Sequence, residues 1–292
     1  MVRIVLGFGF LVVSVFAEAQ SFYALRRERS LILVAGTGTS TYLGELSNPG
    51  DYLDAKPTLT VGLQHKLIDR LSLRADVTWF QLRGNDAKAD DGSRQRRNLS
   101  FQSNNFELGV SGVLSLYKSG RRFYQRPLIN FYAFGGVGLC YFNPTTEYQG
   151  ERITLRPLQT EGVAYSRFTP VIPMGLGVRF KMGPMFNLSI EGGLRKTFTD
   201  YLDDVSTVHL GASAFSDPLA AALSDRRAEL GLPTVPAGTQ RGNPGSEDAY
   251  FLLNAKLEYY LPVDFLAKKT QKSFYKRKRN TAYKRYNQRR RR

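Results

Sequence analysis

Between residues 186 and 195, apolar Phe186, Leu188, Ile190 and Leu194 alternate with Asn187, Ser189, Glu191 and Arg195. A two-residue period puts one set on each face of a β-strand. The same pattern recurs in 250–261, where Phe251, Leu253, Ala255, Leu257, Tyr259 and Leu261 oppose Asn254, Lys256, Glu258 and Tyr260. In 105–116, Phe106, Leu108, Val110, Leu114 and Leu116 oppose Asn105, Glu107, Ser111 and Ser115. In 71–80, Leu71, Leu73, Ala75, Val77 and Trp79 oppose Ser72, Arg74, Asp76 and Thr78. Further strands are predicted over 29–38, 57–67, 127–142 and 166–181, which makes eight.

A soluble sandwich would alternate in the same way, so the connections carry the distinction. They run long (38–56), tight (Ile68-Asp69), long (83–104), shorter (117–126), long (143–165), tight (Met182-Gly183-Pro184) and long (199–248). Long loops on one side, short turns on the other and an even strand number are the pattern of an outer-membrane barrel. Most of the strands also reach the ~9–11 residues that a tilted membrane strand needs. The fold class expected is therefore all-β, an eight-stranded antiparallel transmembrane β-barrel.

Such a barrel has an interior about wide enough to be filled by side chains. The polar faces would send Arg74, Asp76, Glu107, Arg179, Glu191, Arg195, Lys256 and Glu258 into it, where they should pair across the lumen and close it. Trp79, Phe80, Tyr141, Phe142, Tyr259 and Tyr260, near strand ends, are candidates for the aromatic girdles at the two interfaces, with ordinary packing as the alternative. In the fourth long connection, Asp217-Pro218 followed by an Ala-rich run to Gly231 predicts a short capped helix outside the barrel.

The termini change the picture of charge. From Phe265 onward there are six Lys and seven Arg and no acid, thirteen of the formal net +16, so the rest of the chain is nearly neutral. At the other end Arg3, an apolar run from Ile4 to Phe16 and Ala17-Glu18-Ala19 have the form of a signal peptide, with cleavage expected before Gln20. The run, about thirteen residues, falls short of the ~20 a membrane helix needs. An uncleaved anchor or a buried helix is the alternative. Export rules out nucleic acid as the partner of the basic end, although its interleaved Phe274, Tyr275, Tyr283 and Tyr286 would suit single strands. The organisation expected is signal peptide 1–19, outer-membrane barrel 20–266 and basic tail 267–292, with both termini periplasmic because eight strands return the chain to its starting side. There Lys276, Arg277, Lys278, Arg279, Lys284, Arg285, Arg289, Arg290, Arg291 and Arg292 could dock an acidic periplasmic protein or touch anionic lipid of the inner leaflet, or remain a solvated arm.

Candidate chemistry is sparse. His65 and His209 fall near opposite rims, too far apart for a nucleophile and base to meet, and Cys140, the single cysteine, reads as a small wall residue. Asp200, Asp203 and Asp204 could offer oxygens to a hard cation, but without the spacing of a calcium loop, and loop backbone is the competing partner. No cofactor is expected. Gly36-Thr37-Gly38-Thr39-Ser40 lacks the Lys of a phosphate loop.

Two stretches, "TGTSTYLGEL" after the first strand and "EGGLRKTFTDYLDDVS" around the seventh, resemble the PorG-like outer-membrane proteins of the type IX secretion system of Bacteroidota. The basic end "LEYYLPVDFLAKKTQKSFYKRKR" is similar to that family too. The residues carrying the resemblance are Tyr42, Gly44, Glu45, Thr199, Asp200, Tyr201, Asp203 and Asp204. The resemblance implies a small barrel that is neither a catalyst nor the translocation channel and that joins periplasmic and lipoprotein ring components of the secretion machine. Loop 207–248 is treated as variable. The competing reading is a lipid-modifying barrel enzyme or a minor pore.

Overall fold

The computed structural model describes residues 29–48, 55–119 and 123–262; the expected signal peptide and the basic tail lie outside them. Strands β1 (Leu31–Leu43), β2 (Lys56–Lys66), β3 (Leu71–Asn85), β4 (Ser100–Ser115) and β5 (Ile129–Tyr141) are followed by a short hairpin, β6 (Pro144–Tyr148) and β7 (Glu151–Thr154). Then come β8 (Phe168–Lys181), β9 (Phe186–Thr197) and β10 (Ala249–Tyr260). Two short helices, α1 (Gly92–Arg97) and α2 (Pro218–Ser224), sit in the second and fourth long loops.

Each of the eight long strands pairs antiparallel with two others of the eight, β5 with β8 across the hairpin and β10 with β1. The register from Ile32↔Tyr260 to Leu43↔Ala249 closes the ring, so no edge is left unpaired in the wall. The result is a closed antiparallel eight-stranded barrel. Its outward positions carry exposed Leu59, Val61 and Leu63 on β2, Leu108 and Val110 on β4, and Val137 and Leu139 on β5. A band of this kind around a closed barrel is the hydrocarbon-facing wall of an integral membrane protein.

Several strands run further than the apolar alternation suggests. β1 continues to Leu43, β3 to Asn85, and β4 already begins at Ser100. There the outward residues are the polar Gln81, Arg83, Gln102 and Asn104 while Leu82 and Phe101 point inward, so the outward apolar signal vanishes although the ladder Gln81↔Asn104 to Asn85↔Ser100 continues. β6 and β7 were hidden for the same reason: "PTTEY" and "ERIT" have no apolar face, and β6 docks on the start of β4 through Thr145↔Gln102. α1 is also new, capped by Asp91 accepting from the Ser93 N–H and ended by Asn98 at φ 59°. The helix expected after Asp217 is α2, with the Asp217 carboxylate accepting from the Leu219 N–H.

Half of the proposed girdle belongs inside. Phe80, Phe142 and Tyr260 are 0%, 1% and 6% exposed. Phe80 stacks on Tyr250 at 4.6 Å, and Tyr260 lies against Phe123 at the short-turn end. Parity explains it: Phe80 shares a face with Arg74 and Asp76, and Tyr260 with Lys256 and Glu258. Trp79, Tyr141 and Tyr259 remain on the outward parity and are partly exposed.

Apolar plugs form at both ends. At the short-turn end Ile32, Val34, Phe123, Met185 and Tyr260 cluster, and Arg126 donates to the carbonyls of Phe123, Gly183, Pro184 and Phe186 at 2.8–3.0 Å. At the long-loop end the loops fold over the mouth as one cap, in which Leu46, Leu99, Leu155, Leu202, Val205 and Leu223 pack onto Tyr42, Phe101 and Tyr250 of the wall.

Candidate functional site

Between the two plugs the interior is ionic. Glu191 on β9 accepts from Arg74 Nη1 at 2.8 Å and Nη2 at 3.3 Å, from the Tyr132 hydroxyl at 3.1 Å, and from Lys256 Nζ. Asp76 lies 2.7 Å from Arg74 Nε and 3.8 Å from Lys256 Nζ. Arg179 pairs with Glu258 at 2.7 Å, and Arg195 with Glu107 at 3.6 Å, where Tyr250 also donates to Glu107 at 2.7 Å. All eight lumen charges named from the strand alternation thus meet an opposite charge. Charges taken this far from water persist only when paired and hydrogen-bonded, and the side chains that do this also fill the barrel.

The resemblance-bearing residues converge in the cap. The Tyr42 hydroxyl, at the end of β1, lies 2.8 Å from Asp203 Oδ2 and 2.5 Å from Asp248 Oδ1. One phenolic proton serves one acceptor, so the second contact requires a proton on one of the carboxyls. Both aspartates are 1% exposed, and burial, aided by the charge of Asp248 at Asp203 and of Asp200 and Glu45 at Asp248, holds each well above the ordinary carboxylate range. Their outer oxygens accept from the N–H groups of Val205 and Leu202. This proton-sharing joint ties β1 to the loop after β9 and to the entry of β10. Gly44 makes the approach possible: a β-carbon there would collide with the Tyr42 hydroxyl and Asp248.

Around the joint, Asp204 at φ 69° accepts from the hydroxyls of Thr160 and Tyr165, each at 2.5 Å, and burial raises it to about 6 despite the Arg241 guanidinium. Tyr201 stacks on Tyr165 at 4.8 Å. The Thr199 carbonyl accepts from the Asp248 N–H at 3.1 Å, and Glu45 accepts from the Asn243 N–H. Asp200 stands apart, half-buried, raised to about 6 by burial. The three aspartates considered for a cation therefore diverge: Asp203 and Asp204 serve different protein donors. Among the described residues, no group of three or more His, Cys, Asp or Glu side chains is placed to hold a metal ion.

Loop 207–248, set aside as variable, supplies essential parts of the cap. Arg241 donates to Glu161 and the Asp204 carbonyl at 2.7 and 2.6 Å, while Glu161 accepts from the N–H groups of Ser206 and Thr207. No periodicity announces Arg241, Glu161, Asp86 or Asp248. Only Arg241 and Glu161 carry a sequence sign, each a charge in an otherwise uncharged loop stretch; Asp86 and Asp248 sit among other charged residues. His65 lies outward on β2 near the short turns and His209 in the cap, so no base–nucleophile pair forms between them. Cys140 is a buried wall residue of β5. The ten basic tail residues lie outside the described residues.

The family model described as "Domain of unknown function (DUF6089)" matches residues 10–210. No curated protein matches the sequence. Among solved structures, the chain is similar to Neisserial surface protein A (10% identity, 79% of this chain and 97% of that one, TM-score 0.41). It is also similar to a major outer membrane protein from Thermus thermophilus (12% identity, 79% and 99% covered, TM-score 0.38) and to the Yersinia pestis attachment protein Ail (8% identity, 80% and 100% covered, TM-score 0.37).

Proposed function

Because this chain belongs to the DUF6089 family, whose description names no activity, we propose its function from its own residues: a sealed, non-enzymatic outer-membrane barrel that anchors periplasmic components of the type IX secretion machine. The observation that carries the reading is the interior, apolar at both ends and ionic between, inside a wall whose outer face is apolar. A barrel filled in this way offers solutes no route and works as an anchor. What supports the finer assignment is the sequence resemblance, whose two stretches meet in the Tyr42–Asp203 contact.

In this reading the long-loop cap faces outward and the short turns face the periplasm, where the basic segment 267–292 acts as the docking arm. Thirteen uncompensated charges exceed what solubility requires, and an acidic ring or lipoprotein partner supplies the complementary surface. The inner leaflet is the secondary contact.

The test is gentle detergent co-purification from native membranes, comparing the full chain with one ending at Leu266. The full chain should bring down periplasmic and lipoprotein components that the truncated barrel loses while remaining inserted. If export and co-purification are unchanged by the truncation, the docking role is wrong.

A further inference from the structure

The cap carries a cleft that neither the joint nor the lumen network uses. It measures about 510 Å³ and lies between α1 and the segment 239–243 of the last long loop. Five arginines line it: Arg94, Arg96, Arg97, Arg227 and Arg241. Three are held by buried carboxylates from behind, Arg94 and Arg97 by Asp86 at 3.1 and 2.7 Å and Arg241 by Glu161 at 2.7 Å. Among the described residues, no carboxylate lies within ion-pair distance of Arg96 or Arg227, although the adjacent Arg226 is matched by Glu229.

Donors in the cleft are also left over. Arg94 Nη2 and Arg227 Nε are buried without a hydrogen-bond partner; Nδ1 of His209, a residue 4% exposed, lacks one as well and donates in its Nδ1–H tautomer, and on the acceptor side Glu45 Oε2 is likewise unpartnered. A buried polar group without a partner costs about 1–3 kcal/mol, so two obligate arginine donors left over beside one cleft mark a place where an acceptor belongs. The fixed guanidinium forks suit the oxygens of a phosphate more closely than any neutral ligand. Glu45 is the one carboxylate among the described lining residues. Burial raises it to about 7, so near neutral pH only part of its charge opposes an anion.

We propose that this arginine cleft is a binding site for a phosphate-bearing anion at the outer surface of the barrel. Arg96 and Arg227 supply the uncompensated charge, Arg94 Nη2 and Arg227 Nε the spare hydrogen-bond donors, with His209 adding one in its Nδ1–H tautomer, and the Asp86 and Glu161 pairs keep the remaining arginines in place. The phosphate can come from a soluble phosphorylated molecule or from the headgroup of an outer-leaflet glycolipid; the chemistry read at the cleft is the same.

The test uses the full-length protein in phosphatidylcholine nanodiscs, titrated calorimetrically with inorganic pyrophosphate at low and at high salt. Saturable binding that weakens with salt is expected, reduced about tenfold or more by Arg96→Ala/Arg227→Ala and unchanged by Arg83→Ala on the outer wall. Neither Arg96 nor Arg227 holds a carboxylate, so folding should survive, as Trp79 fluorescence would verify. A second arm replaces pyrophosphate with diphosphorylated lipid A in the nanodisc. Lipid A binding that the double variant loses assigns the phosphate to the leaflet, and pyrophosphate binding alone assigns it to a soluble ligand. Binding of neither probe, or binding equal in the double variant, overturns the proposal.

Discussion

Replacing Glu191 by Ala isolates the contribution of the ionic interior. Glu191 is 1% exposed and receives Arg74 through two nitrogens, the Tyr132 hydroxyl and Lys256. Its loss leaves two buried cations facing Asp76 alone, 2.7 Å from Arg74 and 3.8 Å from Lys256. Breaking a buried pair and stranding the partner costs about 3–5 kcal/mol, and we take about 4 kcal/mol for this site because Asp76 still compensates one cation. That corresponds to roughly a thousandfold shift in the folding equilibrium at ~1.4 kcal/mol per factor of ten. Urea unfolding of the protein refolded in lipid vesicles, followed by the fluorescence of its single tryptophan, Trp79 on the outer wall, reads the loss. The double variant Arg74→Met/Glu191→Leu restores the balance, leaving Lys256 with Asp76, and should regain on the order of 1–3 kcal/mol relative to additivity. A cost below about 1 kcal/mol for the single change, in the range of an exposed pair, or strict additivity of the two, would refute a coupled interior.

The cap makes four further predictions. Tyr42→Phe strands two buried carboxyls and should destabilise by about 1–3 kcal/mol in the same assay, without affecting membrane insertion. Gly44→Ala should cost a similar amount, about 1–3 kcal/mol, through the collision with Tyr42 and Asp248. Gly92→Ala, whose β-carbon would meet nothing within 4 Å, should stay within about 0.5 kcal/mol of the parent. The pH dependence has a definite sign: Glu45 at about 7, Asp200 and Asp204 at about 6, and the Asp203–Asp248 pair all sit above their unfolded values. Their contribution is complete below the ordinary carboxylate range near pH ~4 and is lost as pH rises through the folded values. Glu161 works the other way: burial would raise it, but Arg241 and the Ser206 N–H lower it further, so its contribution fades in acid. Protection factors of cap amides, their exchange rates taken relative to the intrinsic rate at each pH, should therefore be higher at pH 5 than at pH 8; equal protection, or the reverse, contradicts the shared proton.

The barrel was legible because its two faces have opposite chemistry. Nearly every lumen charge, such as Lys256 between Ala255 and Leu257, stands between apolar neighbours on the other face, and parity alone sends it inward. Parity could also have placed Phe80 and Tyr260 correctly; proximity to a strand end misassigned them. Past the apolar band the outward face turns polar, with Leu82 and Phe101 now pointing inward, which is why the strand extensions, the β6–β7 hairpin and α1 were not foreseen. The cap was least legible. Tyr42, Asp203 and Asp248 are brought together across |i−j| of 161 and 206 residues, and only closure of the barrel sets such distances. Two of the three lie in the stretches that carry the family resemblance, so resemblance marked the joint without revealing its geometry. The arginine cleft was not foreseen either, because its charges come from two loops whose contact depends on Asp86 and Glu161 behind them.

The central claim is that the interior is sealed, and single-channel recording in planar bilayers tests it most directly. The full-length protein should show conductance at the background of the bare membrane, at either polarity of voltage. Reproducible stepwise conductance from the folded protein would mean that the plugs and the Arg74–Glu191–Lys256 network leave a water path, and the anchor reading would give way to that of a small pore.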